Sequence, residues 1–172
     1  MKKVVLKLKE KNFRSYVVNK IEIEEWLEKY KIKNYIINED LSIDVSGDVT
    51  LRRKDLSSIP VRFGIVRGDF DCSSNRLLNL EGCPVAVGGN YNCSSNQLFS
   101  LKDCPISIGG NFDCSGNELT DLVGCSGEIG SAYYCSNNNV ILEEKNLYNG
   151  KGEKIGVYYV NEKLNCELSE DR

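Results

Sequence analysis

Cys83-Pro84-Val85-Ala86-Val87-Gly88-Gly89-Asn90-Tyr91-Asn92-Cys93-Ser94-Ser95-Asn96-Gln97-Leu98 decides the fold, because it recurs at a fixed distance on either side. Twenty-one residues later the chain reads Cys104-Pro105-Ile106-Ser107-Ile108-Gly109-Gly110-Asn111-Phe112-Asp113-Cys114-Ser115-Gly116-Asn117-Glu118-Leu119. Whole columns keep this beat. Cys72, Cys93, Cys114 and Cys135 form one, and Cys83, Cys104 and Cys125 another. Asn75, Asn96, Asn117 and Asn138 align, as do Phe70, Tyr91, Phe112 and Tyr133. Val66, Val87, Ile108 and Ile129 make a further column, and Gly47, Gly68, Gly89 and Gly110 another. A fixed period of this length signals a solenoid, whose units bury their apolar faces only by stacking.

The period extends backwards with altered residues. Val45, Gly47, Val49, Leu51, Leu56 and Ile59 match Val66, Gly68, Phe70, Cys72, Leu77 and Leu80. Leu51 stands in for Cys and Lys54 for Asn, as expected of an atypical terminal unit. About five coils are therefore expected, over 45–142, with flanking segments at 1–44 and 143–172.

Alternation assigns the columns. Tyr91 and Cys93 are expected inside, and Asn90, Asn92 and Ser94 outside. A buried Asn column must satisfy its amide, so it is expected to hydrogen-bond the backbone at the bend. The Gly column implies either positive φ or close approach of neighbouring coils.

The chain has 172 residues, eight cysteines, no histidine and a net charge of −3. Without histidine there is no Ser-His-Asp triad, no Cys-His pair and no His-ligated metal. Seven of the cysteines fall in the two columns, where packing as small hydrophobes is the simplest reading. Disulfides, a metal site and a reactive thiol are the competing ones, and only Cys166 stands outside the period. No metal and no cofactor are expected. No run approaches the roughly 18 apolar residues of a membrane span, and Met1–Lys9 does not read as a secretory signal.

The unit resembles the leucine-rich repeat, L-x-x-L-x-L-x-x-N-x-L, with Tyr91 and Cys93 in strand positions, then Asn96 and Leu98. Gly88 occupies the place of the first leucine, with Val87 just before it. The composite GCPxxVGGNFDCSxNxLxxL is similar to repeats in uncharacterised proteins of large tailed bacteriophages, and the lead-in Glu24–Val49 is similar as well. The resemblance implies an α+β fold: a leucine-rich-repeat solenoid with a parallel β-sheet on its concave face, an N-terminal helix and hairpin cap and a short C-terminal cap.

The flanks fit that scheme. Residues 1–18 carry Lys2, Lys3, Lys7, Lys9, Lys11 and Arg14 against Glu10, a net of +5, and Val4–Leu8 alternates like a charged edge strand. Ile23, Trp26, Leu27 and Tyr30 form the stripe of a helix over 21–31, expected to cover the open end of the first coil. Tyr35–Ile37 and Ser42–Val45 are expected to form a hairpin. Asn149–Gly152 reads as a turn and Val157–Val160 as a strand.

The outward columns give the candidate binding residues: Asp48, Asp69, Asn90 and Asn111 in one, and Asp71, Asn92, Asp113 and Tyr134 in the next. Arg52, Arg53 and Arg67 mark the basic first coil. Residues 45–67 carry five basic and two acidic residues, +3, and residues 68–140 two basic and eight acidic, −6. Such polarity orients a charged partner. The expected function is non-enzymatic protein–protein interaction by a cytoplasmic monomer without membrane contact. By the phage resemblance, the partner is a host enzyme or defence complex that is inhibited or redirected. The alternatives are nucleic-acid binding through the basic arm and first coil, or a structural part of a virion.

Overall fold

A computed structural model describes residues 19–124 and 128–139, and the strand backbone of 143–148, 154–160 and 167–168. The basic strand expected at Val4–Leu8, the turn at Asn149–Gly152, Cys125 and Cys166 lie outside the described residues. In chain order come α1 (Lys20–Lys29), β1 (Tyr35–Ile37), β2 (Ser42–Val45), β3 (Val49–Thr50), β4 (Arg62–Val66), β5 (Phe70–Asp71), β6 (Ala86–Val87) and β7 (Tyr91–Asn92). They are followed by β8 (Ser107–Ile108), β9 (Phe112–Asp113), β10 (Glu128–Ile129), β11 (Tyr133–Tyr134), β12 (Glu143–Tyr148), β13 (Lys154–Val160) and β14 (Glu167–Leu168).

Where about five coils were expected, the array is a β-solenoid of about four turns, with one short helix among the described residues. Five strands, β3, β5, β7, β9 and β11, form a parallel sheet whose neighbours are offset by one sequence period: Val49 pairs with Phe70, Phe70 with Tyr91, Tyr91 with Phe112 and Phe112 with Tyr133. The expected single sheet is accompanied by a second. Strands β2, β4, β6, β8 and β10 run parallel, with β1 added antiparallel to β2. The Val/Ile column lies in that second sheet, because each chain segment enters the Gly-Gly bend already extended. The C-terminal strands β12, β13 and β14 form an antiparallel sheet.

The interior follows the alternation. Phe70, Cys72, Tyr91, Cys93, Phe112 and Cys114 are all fully buried. Aromatic rings stack along the axis, from Trp26 on Phe63 (6.2 Å between centroids) through Phe70, Tyr91 and Phe112 to Tyr133. The six described cysteines are thiols, none in a disulfide. A hydrogen bond with the neighbouring Cys83, and then burial, raise the Cys72 thiol well above its ordinary range, so it stays protonated and packs as an apolar group.

Asparagines hold the bend. The Asn96 side chain donates to the carbonyls of Cys72 in the preceding coil and of Cys93 in its own, and accepts from the Leu77 amide (3.1, 3.0 and 3.0 Å). Asn75 and Asn117 repeat this arrangement. The glycine question is settled by approach rather than φ. A Cβ on Gly68, Gly89 or Gly110 would collide with the Oδ1 atom of Asp48, Asp69 or Asn90 in the preceding coil, at 2.6 Å for Gly110, and one on the neighbouring Gly109 would collide with the Gly88 carbonyl oxygen; none of these glycines is in the positive-φ region. Positive φ occurs instead at two recurring corners, one at Arg53, Ser74, Ser95, Gly116 and Asn137 and the other at Gly82, Asp103 and Gly124.

Helix α1 begins at a reciprocal capping box of Asn19 and Glu22 and ends before Lys31, which turns to a φ of 58°. Its Ile23 and Leu27 are buried in the same core cluster as the first coil, at about 1.5–3 kcal/mol each.

Candidate binding face

Seven of the candidate residues come together on the outer face of the β3–β11 sheet. Asp69, Asp71, Asn90, Asn92, Asn111, Asp113 and Tyr134 line a shallow groove of about 300 Å³ that runs across β5, β7, β9 and β11, with Phe70 and Tyr91 beneath it. Asp48, Arg52, Arg53 and Arg67 are exposed but stand outside the groove. Arg52 and Arg53 follow β3 at the first coil, and Arg67 lies in the bend between the two sheets.

Both groove columns also build the fold, which the outward reading did not anticipate. In the first column each side chain supports the next coil. Asp48 accepts the Asp69 amide (2.9 Å), Asp69 that of Asn90 (2.7 Å), Asn90 that of Asn111 (2.8 Å) and Asn111 that of Ala132 (3.1 Å). In the second, the Oδ1 atoms of Asp71, Asn92 and Asp113 each accept the amide of the serine two residues on, at 2.9 Å, together with its hydroxyl. These are Asx turns, in which Asp and Asn are equivalent acceptors. Consequently Asp71 and Asp113 are half-buried, not fully solvated, and Ser73 is buried at 2% exposure.

On five of these residues one polar atom remains open, while the Asn90 amide is used at both ends. The Oδ2 atoms of Asp69, Asp71 and Asp113 and the Nδ2 groups of Asn92 and Asn111 make no hydrogen bond among the described residues. The groove therefore presents three carboxylate oxygens and two amide donors on a scaffold whose other atoms are fixed. Tyr134, half-exposed, walls its last coil beside Asp113.

The basic residues are unequal. Arg62 pairs with Asp40, whose carboxyl is held below its ordinary range by hydrogen bonds from Ser42 and then by the guanidinium. Arg76 pairs with Asp55 at 2.7 Å. Arg52, Arg53, Lys54 and Arg67 are exposed and make no ion pair among the described residues. The acids that neutralise Arg62 and Arg76 lie 22 and 21 residues away, about one turn of the solenoid, so the signal was in the period.

Among the described residues no three His, Cys, Asp or Glu side chains are grouped to hold a metal ion, and no helix is long and apolar enough to cross a membrane. Comparison with known proteins gave no matching family model, no matching curated protein and no matching solved structure.

Proposed function

We propose that the chain is a non-enzymatic protein-binding module on a leucine-rich-repeat-type solenoid, working through the groove over β5–β11. Helix α1 with the β1–β2 hairpin closes one end of the stack, and the β12–β14 sheet serves the other. The carrying observation is the set of open carboxylate oxygens and amide donors, held in step by bonds that use the other atom of the same side chains. Pre-ordered groups cost little entropy on binding. The phage-like repeat makes a host enzyme or defence complex, met in the bacterial cytoplasm, the expected partner. Affinity capture from bacterial lysate tests this with the wild-type chain and the Asp71→Asn/Asp113→Asn variant. One stoichiometric protein, lost with the variant, is the expected result. Equal capture by both moves binding off the groove, and absence of any stoichiometric partner overturns the reading.

A further inference from the structure

Resting on the protein-binding reading, we infer that the occupant of the groove is a partner segment in the polyproline II conformation with cationic side chains three residues apart. Charge gives the sign of the occupant. Among the described residues the groove is lined by Asp69, Asp71 and Asp113 and by no cation. Exposed Arg52 and Arg53 follow β3, so a cation extended over the first coil meets like charge.

Spacing gives the conformation. Asp71, Asn92 and Asp113 occupy equivalent places on three strands paired in step. Neighbouring strands lie about 4.8 Å apart, so the two carboxylates are separated by roughly 9.6 Å along the solenoid axis. A polyproline II segment repeats its face every third residue, at about 9.3 Å. A β-strand repeats its face at about 6.7 Å and falls out of phase within one repeat. An α-helix two turns long spans about 10.8 Å, a poorer fit, and its carbonyls are already bonded.

Hydrogen bonding separates the two further. Between the carboxylates stands the open Nδ2 group of Asn92, and that of Asn111 lies in the neighbouring column of the Asp113 coil; both need acceptors. Polyproline II leaves every backbone carbonyl unbonded. Tyr134, paired in register with Asp113, offers an exposed ring for a pyrrolidine or for the face of a guanidinium.

The test uses the purified full chain and two fluorescein-labelled peptides of one composition: Pro-Arg-Pro-Pro-Arg-Pro-Pro, with arginines three apart, and Pro-Arg-Pro-Arg-Pro-Pro-Pro, with arginines two apart. Fluorescence polarisation is read at low and at physiological salt. The expected result is binding of the first peptide at least about tenfold tighter than the second, about 1.4 kcal/mol. The expected variant Asp71→Asn/Asp113→Asn loses at least about tenfold in affinity for it with unchanged thermal stability, because asparagine already makes the same serine contacts at Asn92. Equal affinities for the two peptides, binding unchanged in the variant, or no binding at low salt would each overturn the inference. If the peptides fail while a lysate protein is still lost with the variant, this inference falls and the protein-binding reading stands. If the peptides bind in phase and no cellular partner is captured, the groove's peptide preference stands and the host enzyme or defence complex falls as its partner.

Discussion

Replacing Tyr91 with phenylalanine should stabilise the fold. The Tyr91 side chain is fully buried between the rings of Phe70 and Phe112, with centroids 5.8 and 5.5 Å away. Its hydroxyl makes no hydrogen bond among the described residues. Burial raises the phenol well above its ordinary range, with Cys83 and Cys72 adding to the effect. A buried hydroxyl without a partner costs about 1–3 kcal/mol. Removing one oxygen also forfeits a few dispersion contacts of about 0.1–0.2 kcal/mol each. The net gain is therefore about 1–2 kcal/mol. For a chain of this length each kcal/mol moves the melting temperature by about 2–4 °C, so Tyr91→Phe should melt about 2–8 °C higher. Urea unfolding at pH 7 should show a higher midpoint at unchanged m-value. Tyr133→Phe is the control, because the Tyr133 oxygen accepts from the Cys114 thiol at 3.6 Å; that variant should gain nothing. A Tyr91→Phe midpoint lower than wild type would mean that the hydroxyl is satisfied, and would refute the reasoning.

Asn96→Ala should cost about 3–5 kcal/mol in urea unfolding, since it strips partners from the Leu77 amide and from the Cys72 and Cys93 carbonyls; a loss under about 1 kcal/mol would show that the bend does not depend on the ladder. Gly109→Ala should yield little soluble folded protein, with its Cβ 2.2 Å from the Gly88 oxygen, whereas Ser95→Gly, at a φ of 54°, should fold normally; circular dichroism after purification distinguishes them. Cys93→Ser should destabilise by about 1–3 kcal/mol by placing a hydroxyl in an apolar stack, and native Cys93 should resist alkylation in peptide mapping until urea is added. Stability should also fall in alkali. The Cys72 thiol is raised in the folded chain above its ordinary 9.0, so above about pH 9 the unfolded chain releases this proton first and the slope of stability with pH turns negative, by up to about 1.4 kcal/mol per pH unit for each such thiol. A urea midpoint unchanged between pH 7.5 and 10 would contradict this.

A solenoid converts sequence offset into spatial neighbourhood, which is why so much of this molecule was legible. Two residues 21 apart become pairing partners, as Tyr91 and Phe112 do. Period and alternation together therefore place the Phe70–Tyr91–Phe112 stack, the Asn ladder and the outward polar columns without any long-range guess. The hairpin of β1 and β2 was legible for a different reason, an apolar run on each side of a polar turn. The second parallel sheet was less visible, because β6, β8 and β10 are two residues each and too short to alternate. Phe63 shows the same limit. It occupies the place of a proline in the later coils, yet continues the aromatic stack between Trp26 and Phe70.

The candidate site was legible as a set of residues but not as a set of atoms. Alternation says which side of a strand Asp71 leaves from; it does not say that one oxygen is bound to Ser73 and the other is open. That division decides which substitution is informative. Reversing the charge with lysine removes the open oxygen and the turn acceptor together, so loss of binding would be confounded by loss of the corner. Asparagine removes the charge and keeps the acceptor, as Asn92 demonstrates one coil away. Each coil thus carries its own control, and a groove acting through charge should respond to Asp71→Asn and Asp113→Asn while the melting temperature stays within about 2 °C of wild type.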